Sequence, residues 1–379
     1  MWAMASASDP MTPSSWSGTP YFMRRGLERT GARVIDVGPG ASRMVSGMNR
    51  VAREVGRIPF VPQFMPNQSK VAVQIHRWGV SGRLDGSDCD AVLVPVGAAV
   101  VASLQTELPL VYSSDATVRR MIGRYPQFTG LSRASLKRAE ANEQRAIDRA
   151  DLLVYPSEWA ASSAMADYGA SDDKILVHPY GANLHLVPES YEPTELRGAV
   201  ELLMISTNWE RKGGDVAIET LDRLVEAGVN AQLTIIGRFP DEVIGPSDRI
   251  TVIPPLAKDE GPNERRFVDS MLRAHFLIAP TRAECFGVVN VEAAACGLPV
   301  LTTDVDGVKS AVAPDGGSHL FDVGDGGDHY AFFILEVLET HGRHRSMQDA
   351  ARRHYERRAN WPAWATAVNE EMQRRRLLP

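Results

Sequence analysis

A chain of 379 residues exceeds one ordinary hydrophobic core, and typical domain sizes set an expectation of about two domains. Its 44% hydrophobic and 23% charged residues exclude large-scale disorder, and a net charge of −6 argues against a dedicated nucleic-acid binder, which needs a basic surface. Cys89, Cys285 and Cys296 lie among apolar neighbours without zinc or CxxC spacing, so they read as reduced, buried thiols.

The opening MWAMASASDP lacks the basic-then-apolar layout of a signal peptide. Ala91 to Leu104, the longest apolar stretch, is broken by Pro95 and Gly97 and is too short to span a bilayer. The expectation is a soluble, cytoplasmic protein. Short apolar runs alternate with amphipathic stretches, the pattern of parallel sheets covered by helices. In the first half the predicted strands are Met1–Ala7, Ala32–Val37, Val71–Ile75, Ala91–Pro95, Leu110–Tyr112, Leu152–Tyr155 and Ile175–His178. The first helix has Thr19 as a cap, Pro20 in its first turn and Gly31 after its end. The polar segment Tyr191–Arg197 reads as a linker, which divides the chain into domains at 1–193 and 194–360, with a final helical segment at 361–379.

A second series of strands begins at Glu201–Ser206 and continues through Leu233–Gly237, Ile250–Ile253, Phe276–Ala279 and Pro299–Thr302. Helices are expected at Asp215–Ala227, where Gly228 supplies the stop, and at Gly287–Cys296. Two open α/β domains in series predict a ligand crevice at their carboxyl strand edges.

The chemistry concentrates in FLIAPTRAECFGVVNVEAAACGLPVLTTDVDGV, from Phe276 to Val308. A strand runs into a loop carrying Glu284, and a helix opens at Gly287 with Glu292 just beyond its first turn. Carboxylates so placed accept hydrogen bonds from sugar hydroxyls. Between them the backbone N–H groups of Gly287, Val288 and Val289 at the helix start form an anion site suited to phosphate. Upstream, STNWERKGGDVAIE (Ser206–Glu219) sets Arg211 and Lys212 in a turn where fixed cations neutralise a departing diphosphate, a role otherwise filled by a metal.

ECFGVVNVE resembles the E-x7-E signature of retaining glycosyltransferases with the GT-B fold, family 4, and its setting between a strand ending in Pro-Thr and the run Gly-Leu-Pro-Val matches as well. The resemblance implies two Rossmann-like, doubly wound parallel-sheet domains facing across a cleft, the first towards the acceptor and the second holding the donor. It assigns Glu284 to the donor sugar's hydroxyls, Glu292 to the ribose, and Lys212-Gly213 to the donor phosphates. Where many members carry an arginine this chain has Thr207 and Asn208, which leaves Arg211 as the replacement and Asn208 at the pocket wall. Gly18, in SSWSGTPYFMRRGLE, corresponds to the family's glycine loop, and the nucleotide base is expected against the backbone near Leu256. YPSEWAA (Tyr155–Ala161) and VHPYGANL (Val177–Leu184) resemble family loops bordering the site, and WPAWATAVNEEMQRRR is expected to pack back on the first domain.

Asp115 follows a strand end in LVYSSDATV and has two readings, a helix cap or a group that positions sugar or acceptor. Gly38-Pro39-Gly40 fails the dinucleotide fingerprint because Arg43 stands at the third glycine. Asp304-Val305-Asp306 and Asp88-Cys89-Asp90 have DxD spacing but belong to the wrong motif order, and the nine histidines lack HxH or HExxH spacing, so neither a metal nor a bound cofactor is expected. A basic run from Arg119 to Arg145 reads either as a solvated helical hairpin or as peripheral contact with an anionic membrane. The implied reaction is transfer of a sugar from a nucleotide diphosphate sugar to a glycan, lipid-linked or small-molecule acceptor. A GT-B epimerase, an inverting transferase and a non-catalytic nucleotide-sugar binder remain as alternatives.

Overall fold

The computed structural model describes residues 1–7, 10–13, 15–38, 47–52, 63–240, 248–258 and 261–378. They divide into two compact units: Met1–Pro179 with Trp361–Pro379, and Tyr180–Asn360.

In the first unit the strands are β1 (Trp2–Met4), β2 (Val34–Asp36), β3 (Ala91–Pro95), β4 (Leu110–Ser113), β5 (Leu152–Tyr155) and β6 (Ile175–Val177). All pair in parallel, in the order β2-β1-β3-β4-β5-β6. The central strands β3, β4 and β5 are buried along their whole length, as parallel strands covered on both faces must be. Between them run α1 (Thr19–Arg29), α2 (Lys70–Leu84), α3 (Ala98–Val101), α4 (Val118–Met121), α5 (Arg133–Arg149) and α6 (Glu158–Tyr168).

In the second unit β7 (Val200–Ser206), β8 (Ala231–Gly237), β9 (Ile250–Ile253), β10 (Phe276–Ala279), β11 (Val300–Thr303) and β12 (Ser318–Phe321) are again all parallel, in the order β12-β11-β10-β7-β8-β9. The helices are α7 (Gly214–Glu226), α8 (Pro262–Arg273), α9 (Val288–Ala295), α10 (Gly327–Glu339) and α11 (Arg343–Arg357). The last helix, α12 (Trp361–Arg374), packs in the first unit against α1, with Trp361 and Trp364 buried and Asn369 Nδ2 donating to Thr30 Oγ1 at 3.3 Å.

Two local expectations are corrected. Val71–Ile75 is no strand but part of α2. Ser69 caps that helix by accepting from the Ala72 amide at 3.1 Å, and Ala72, Ile75, His76, Val80 and Leu84 are buried at helical spacing. The alternation in VAVQI suggested a strand, but the cap and the longer period decide for a helix. The first helix is capped not by Thr19 but by Gly18, whose φ of 92° is left-handed and whose place offers no side-chain cap. The Gly38-Pro39-Gly40 turn lies outside the described residues beyond Gly38.

In each sheet the chain runs outward one way and then returns to continue on the other side of the first strand. The switch falls between β1 and β3 in the first unit and between β7 and β10 in the second. Loops leaving such adjacent strands diverge and open a crevice at the carboxyl edge. Four non-glycine residues with left-handed φ stand in loops that follow strands: Trp16 and Ser17 after β1, Val96 after β3 and Asp306 after β11. Such angles cost of order 1–3 kcal/mol each and persist where surrounding structure enforces them, most often at functional sites.

Candidate functional site

The loop after β7 carries Arg211 and Lys212, and the loop after β10 carries Glu284, so the switch point of the second sheet brings the three together. Arg211 Nη1 donates to a Glu284 carboxylate oxygen at 3.1 Å and to the Ala283 carbonyl at 2.7 Å, and Lys212 Nζ donates to the same Glu284 oxygen. Backbone contacts fix the loops to each other. The Arg211 carbonyl accepts from the Arg282 amide at 2.8 Å and from Thr281 Oγ1 at 3.2 Å, while the Arg211 amide donates to Asn208 Oδ1 at 2.9 Å. Asn208 thus closes the turn from inside its own loop.

Glycines let these loops approach. Gly213 has a φ of 69°, and a Cβ there would lie 2.0 Å from the Pro280 carbonyl oxygen. A Cβ on Gly214 would fall 2.3 Å from the Trp209 ring. Gly287 caps α9 in the left-handed conformation, with Glu284 Cγ 3.3 Å from where its Cβ would be. The first N–H groups of α9, at Val288 and Val289, have no acceptor within their own helix and lie at its positive end.

The two glutamates of the motif are shifted in opposite directions. Burial raises the Glu284 carboxyl, but the fields and hydrogen bonds of Lys212 and Arg211 outweigh it and hold the group below its ordinary pKa. Glu292 is fully buried on α9; burial pushes its pKa up, against the opposing pull of Lys258, whose Nζ donates to Glu292 Oε1. The Asn183 backbone lowers it further and nearby Glu264 raises it. Glu264 is itself buried and accepts from the His185 amide at 2.6 Å.

Three of these residues escaped the sequence reading. Lys258 and Glu264 lie in segments without motif character. Asp306 had been set aside with the DxD decoy; its carboxylate accepts from the Glu284 amide at 3.2 Å, and Gly307 N donates to the Glu284 carbonyl at 3.2 Å. Their common signal is position after a strand of the second sheet, which spacing alone could not weight. Leu256 follows β9, half-buried and two residues before Lys258.

Gly18 and Asp115 belong to the first unit. Gly18 ends a turn of three consecutive left-handed residues, Trp16, Ser17 and Gly18, and a Cβ on it would lie 2.9 Å from the Pro13 carbonyl. Asp115 follows β4; the helix beyond it, α4, is capped by Thr117, so the cap reading of Asp115 fails. In the basic run, Arg119 pairs with Glu140 through two hydrogen bonds at 2.9 and 2.8 Å, and the Arg120 guanidinium lies over the Trp159 ring. Arg124, Arg133, Lys137, Arg138 and Arg145 are exposed. Cys89, Cys285 and Cys296 are free and buried, and burial pushes the Cys296 thiol up to about 12.

Two six-stranded parallel sheets, each with a switch point and joined in one chain, define the GT-B fold. Solved structures agree. Sucrose-phosphate synthase from Thermosynechococcus elongatus superposes with a TM-score of 0.66 at 16% identity, over 99% of both chains. HepE from Anabaena, solved with UDP and glucose, gives 0.62 at 16% identity over 99% of this chain and 100% of that one. Residues 199–340, which hold Arg211, Lys212, Glu284 and Glu292, match the family model described as glycosyl transferases group 1. A D-inositol 3-phosphate glycosyltransferase of Catenulispora acidiphila is 29% identical over 250 residues, 60% of this chain and 58% of that protein. A protein of the same name from Gordonia bronchialis is 33% identical over 196 residues, 45% of this chain and 41% of its own length. The chain therefore spans about half the length of the curated relatives it matches.

Proposed function

We propose that this protein is a retaining, metal-independent glycosyltransferase that moves a sugar from a nucleotide diphosphate sugar to an acceptor hydroxyl. The observation that carries this reading is the junction of Arg211, Lys212 and Glu284 beside the start of α9. The Glu284 carboxylate pairs with both cations. With donor bound, those cations and the helix-end amides of Gly287, Val288 and Val289 turn to the diphosphate, and Glu284 to the sugar hydroxyls. Glu292 takes the ribose, and the backbone near Leu256 takes the base. Gly18 and Asp115, in the first unit, are assigned to the sugar and acceptor.

In the reaction the bond from the anomeric carbon to the β-phosphate oxygen breaks. The acceptor oxygen bonds to that carbon on the same face, its proton passes to the departing phosphate oxygen, and the nucleoside diphosphate leaves. Charge building on the leaving group is the main electrostatic demand, and Arg211 with Lys212 meets it where other enzymes use a metal.

UDP-glucose is the first donor to try, since HepE was also solved with it. Purified protein with UDP-glucose should form a glycosylated product in the presence of EDTA, with retained anomeric configuration by NMR. Glu284→Ala and Lys212→Ala should each lower turnover at least a hundredfold with unchanged circular dichroism. Near-normal turnover by both variants defeats the assignment, and donor binding with neither transfer nor donor hydrolysis favours a non-catalytic binder. A structure similar at TM-score 0.60 and 15% identity is named a putative UDP-N-acetylglucosamine 2-epimerase, so epimerised donor is the product to look for in the same spectra.

The acceptor side extends to the exposed cations Arg124, Arg133, Lys137, Arg138 and Arg145, which suit peripheral contact with anionic lipid. Vesicles of one-third phosphatidylglycerol should carry the protein down at low salt and release it at high salt; no salt-sensitive sedimentation removes this contact.

A further inference from the structure

The first unit holds a cavity that the donor chemistry does not use. It has a volume of about 230 Å3 and lies at the switch point of the first sheet, with Val96 and Gly97 after β3 and Tyr112 and Ser114 at the end of β4 on its wall. Two helices aim buried polar groups into it. His76, on α2, is 1% exposed, and its Nδ1 has no hydrogen-bond partner among the described residues. Glu143, on α5, is 2% exposed and accepts from the Tyr112 hydroxyl only through long bonds of 3.4 and 3.5 Å. Buried polar groups in native proteins are almost always paired, so an orphaned imidazole nitrogen and a weakly held carboxyl on one small cavity call for an occupant.

The charge of that occupant is restricted. Burial, together with the neighbouring Glu140 and Asp115, pushes the Glu143 carboxyl up to about 8, and burial lowers His76 below its ordinary value. Both groups are therefore neutral at pH 7, and no Lys or Arg stands among the described residues lining the cavity, so an anionic headgroup would find no matching cation there. Neutral hydroxyls suit the same groups, each able to give or take a proton in hydrogen bonds.

The cavity is also not closed. It shares Trp16, Asn49, Met65, Asn67 and Phe128 with an adjoining groove of about 600 Å3. Phe64, Pro66 and Pro126 complete the apolar part of that groove, and Phe64 stands 50% exposed along it. The cavity alone falls below the roughly 300–1,000 Å3 of a drug-sized pocket and fits about one ring; the groove has room for an apolar body behind it.

We infer that the first unit binds a neutral amphiphilic alcohol, with a single hydroxyl-bearing ring against His76, Glu143 and Tyr112 and an apolar tail or aglycone along Phe64, Met65 and Phe128. Calling this ligand the acceptor rests on the transferase reading; its binding does not. The inference departs from a phosphorylated acceptor of the kind named in the D-inositol 3-phosphate relatives.

The test is binding to the full chain without donor, followed by tryptophan fluorescence and calorimetry. The probes are n-octyl β-D-glucopyranoside below its micellar concentration, D-glucose and D-inositol 3-phosphate. Octyl glucoside should bind at least tenfold more tightly than either of the others. Phe64→Ser, at an exposed position, should remove most of that preference. Glu143→Leu should weaken octyl glucoside at least tenfold, and Glu143→Gln should restore it, because the neutral amide keeps the shape and hydrogen bonding of the protonated acid. Equal or tighter binding of the inositol phosphate overturns the inference, as does octyl glucoside affinity within twofold of wild type in both Phe64→Ser and Glu143→Leu. UDP-glucose binding and hydrolysis, measured in parallel, report on the second unit, so loss of transferase function with intact octyl glucoside binding falsifies only the former reading.

Discussion

Gly213 illustrates how one residue without a side chain sets the position of two that have them. Its amide lies in the turn that presents Lys212, and its left-handed φ of 69° places the missing Cβ 2.0 Å from the Pro280 carbonyl, the residue that ends β10's approach to Glu284. No rotamer relieves contact with a backbone atom, so an added methyl must separate the β7 and β10 loops. That separation acts directly on the pair between Lys212 and Glu284. Gly213→Ala should therefore lower turnover by more than tenfold and reduce the melting temperature, since alanine at positive φ and overpacking of this kind together cost about 2–4 kcal/mol. The same alanine at Gly31, where φ is 87° and a Cβ meets nothing within 4 Å, isolates the backbone part of the cost. If Gly213→Ala is no worse than Gly31→Ala in stability and keeps full turnover, the close approach of the loops is not what holds the site.

At the scale of elements the same substitution changes sign with its surroundings. Gly26 lies inside α1, where alanine would gain about 1 kcal/mol in helix propensity, but its Cβ would sit 2.8 Å from the Trp361 carbonyl at the start of α12. The helices can cross there only without a side chain, and overpacking at about 1–3 kcal/mol outweighs propensity. Gly82 lies exposed in α2 with nothing within 4 Å of a Cβ. Gly26→Ala should lower the melting temperature by several degrees and Gly82→Ala should raise it by a few; equal shifts in one direction would deny the tight α1–α12 crossing. Elements also explain what the sequence could disclose. The second sheet and its Glu284 loop were legible because strand, glycine and carboxylates follow one another within a short segment. α2 is disguised because five residues, Val71 to Ile75, imitate a strand, and Ser69 with the burial of His76 and Val80 reveals its period. The cavity of the first unit was invisible for a different reason. His76, Tyr112 and Glu143 come from three segments far apart in the chain, and only the fold brings them to one wall.

Across the whole molecule, Glu143 and His344 carry opposite titration liabilities. In the first unit, Glu143 holds a proton up to about 8, whereas in the unfolded chain a glutamate releases it near its ordinary value of 4.5. Between those values unfolding releases a proton, so this group's contribution is full below 4.5 and falls as pH rises through 8, by up to about 1.4 kcal/mol per unit. In the second unit burial lowers His344 to about 4, and it also lowers His275, His319 and His354. His344 and His275 are neighbours, with ring centroids 5.7 Å apart and His344 Nε2 at 2.9 Å from the His275 carbonyl oxygen, so a charge on either meets both burial and the other ring. There unfolding takes up protons between the ordinary value of 6.5 and about 4, so that contribution is full above 6.5 and is lost as pH falls. Denaturant titrations from pH 4.5 to 9 should give wild type a stability that declines at both ends. Glu143→Gln should flatten the alkaline limb and leave the acid limb unchanged, while His344→Gln, which keeps a donor for the His275 carbonyl, should flatten the acid limb alone. Curves for both variants that run parallel to wild type would mean that neither buried group is held in the neutral form by the fold. Exchange of the two effects would assign the liabilities to the wrong groups.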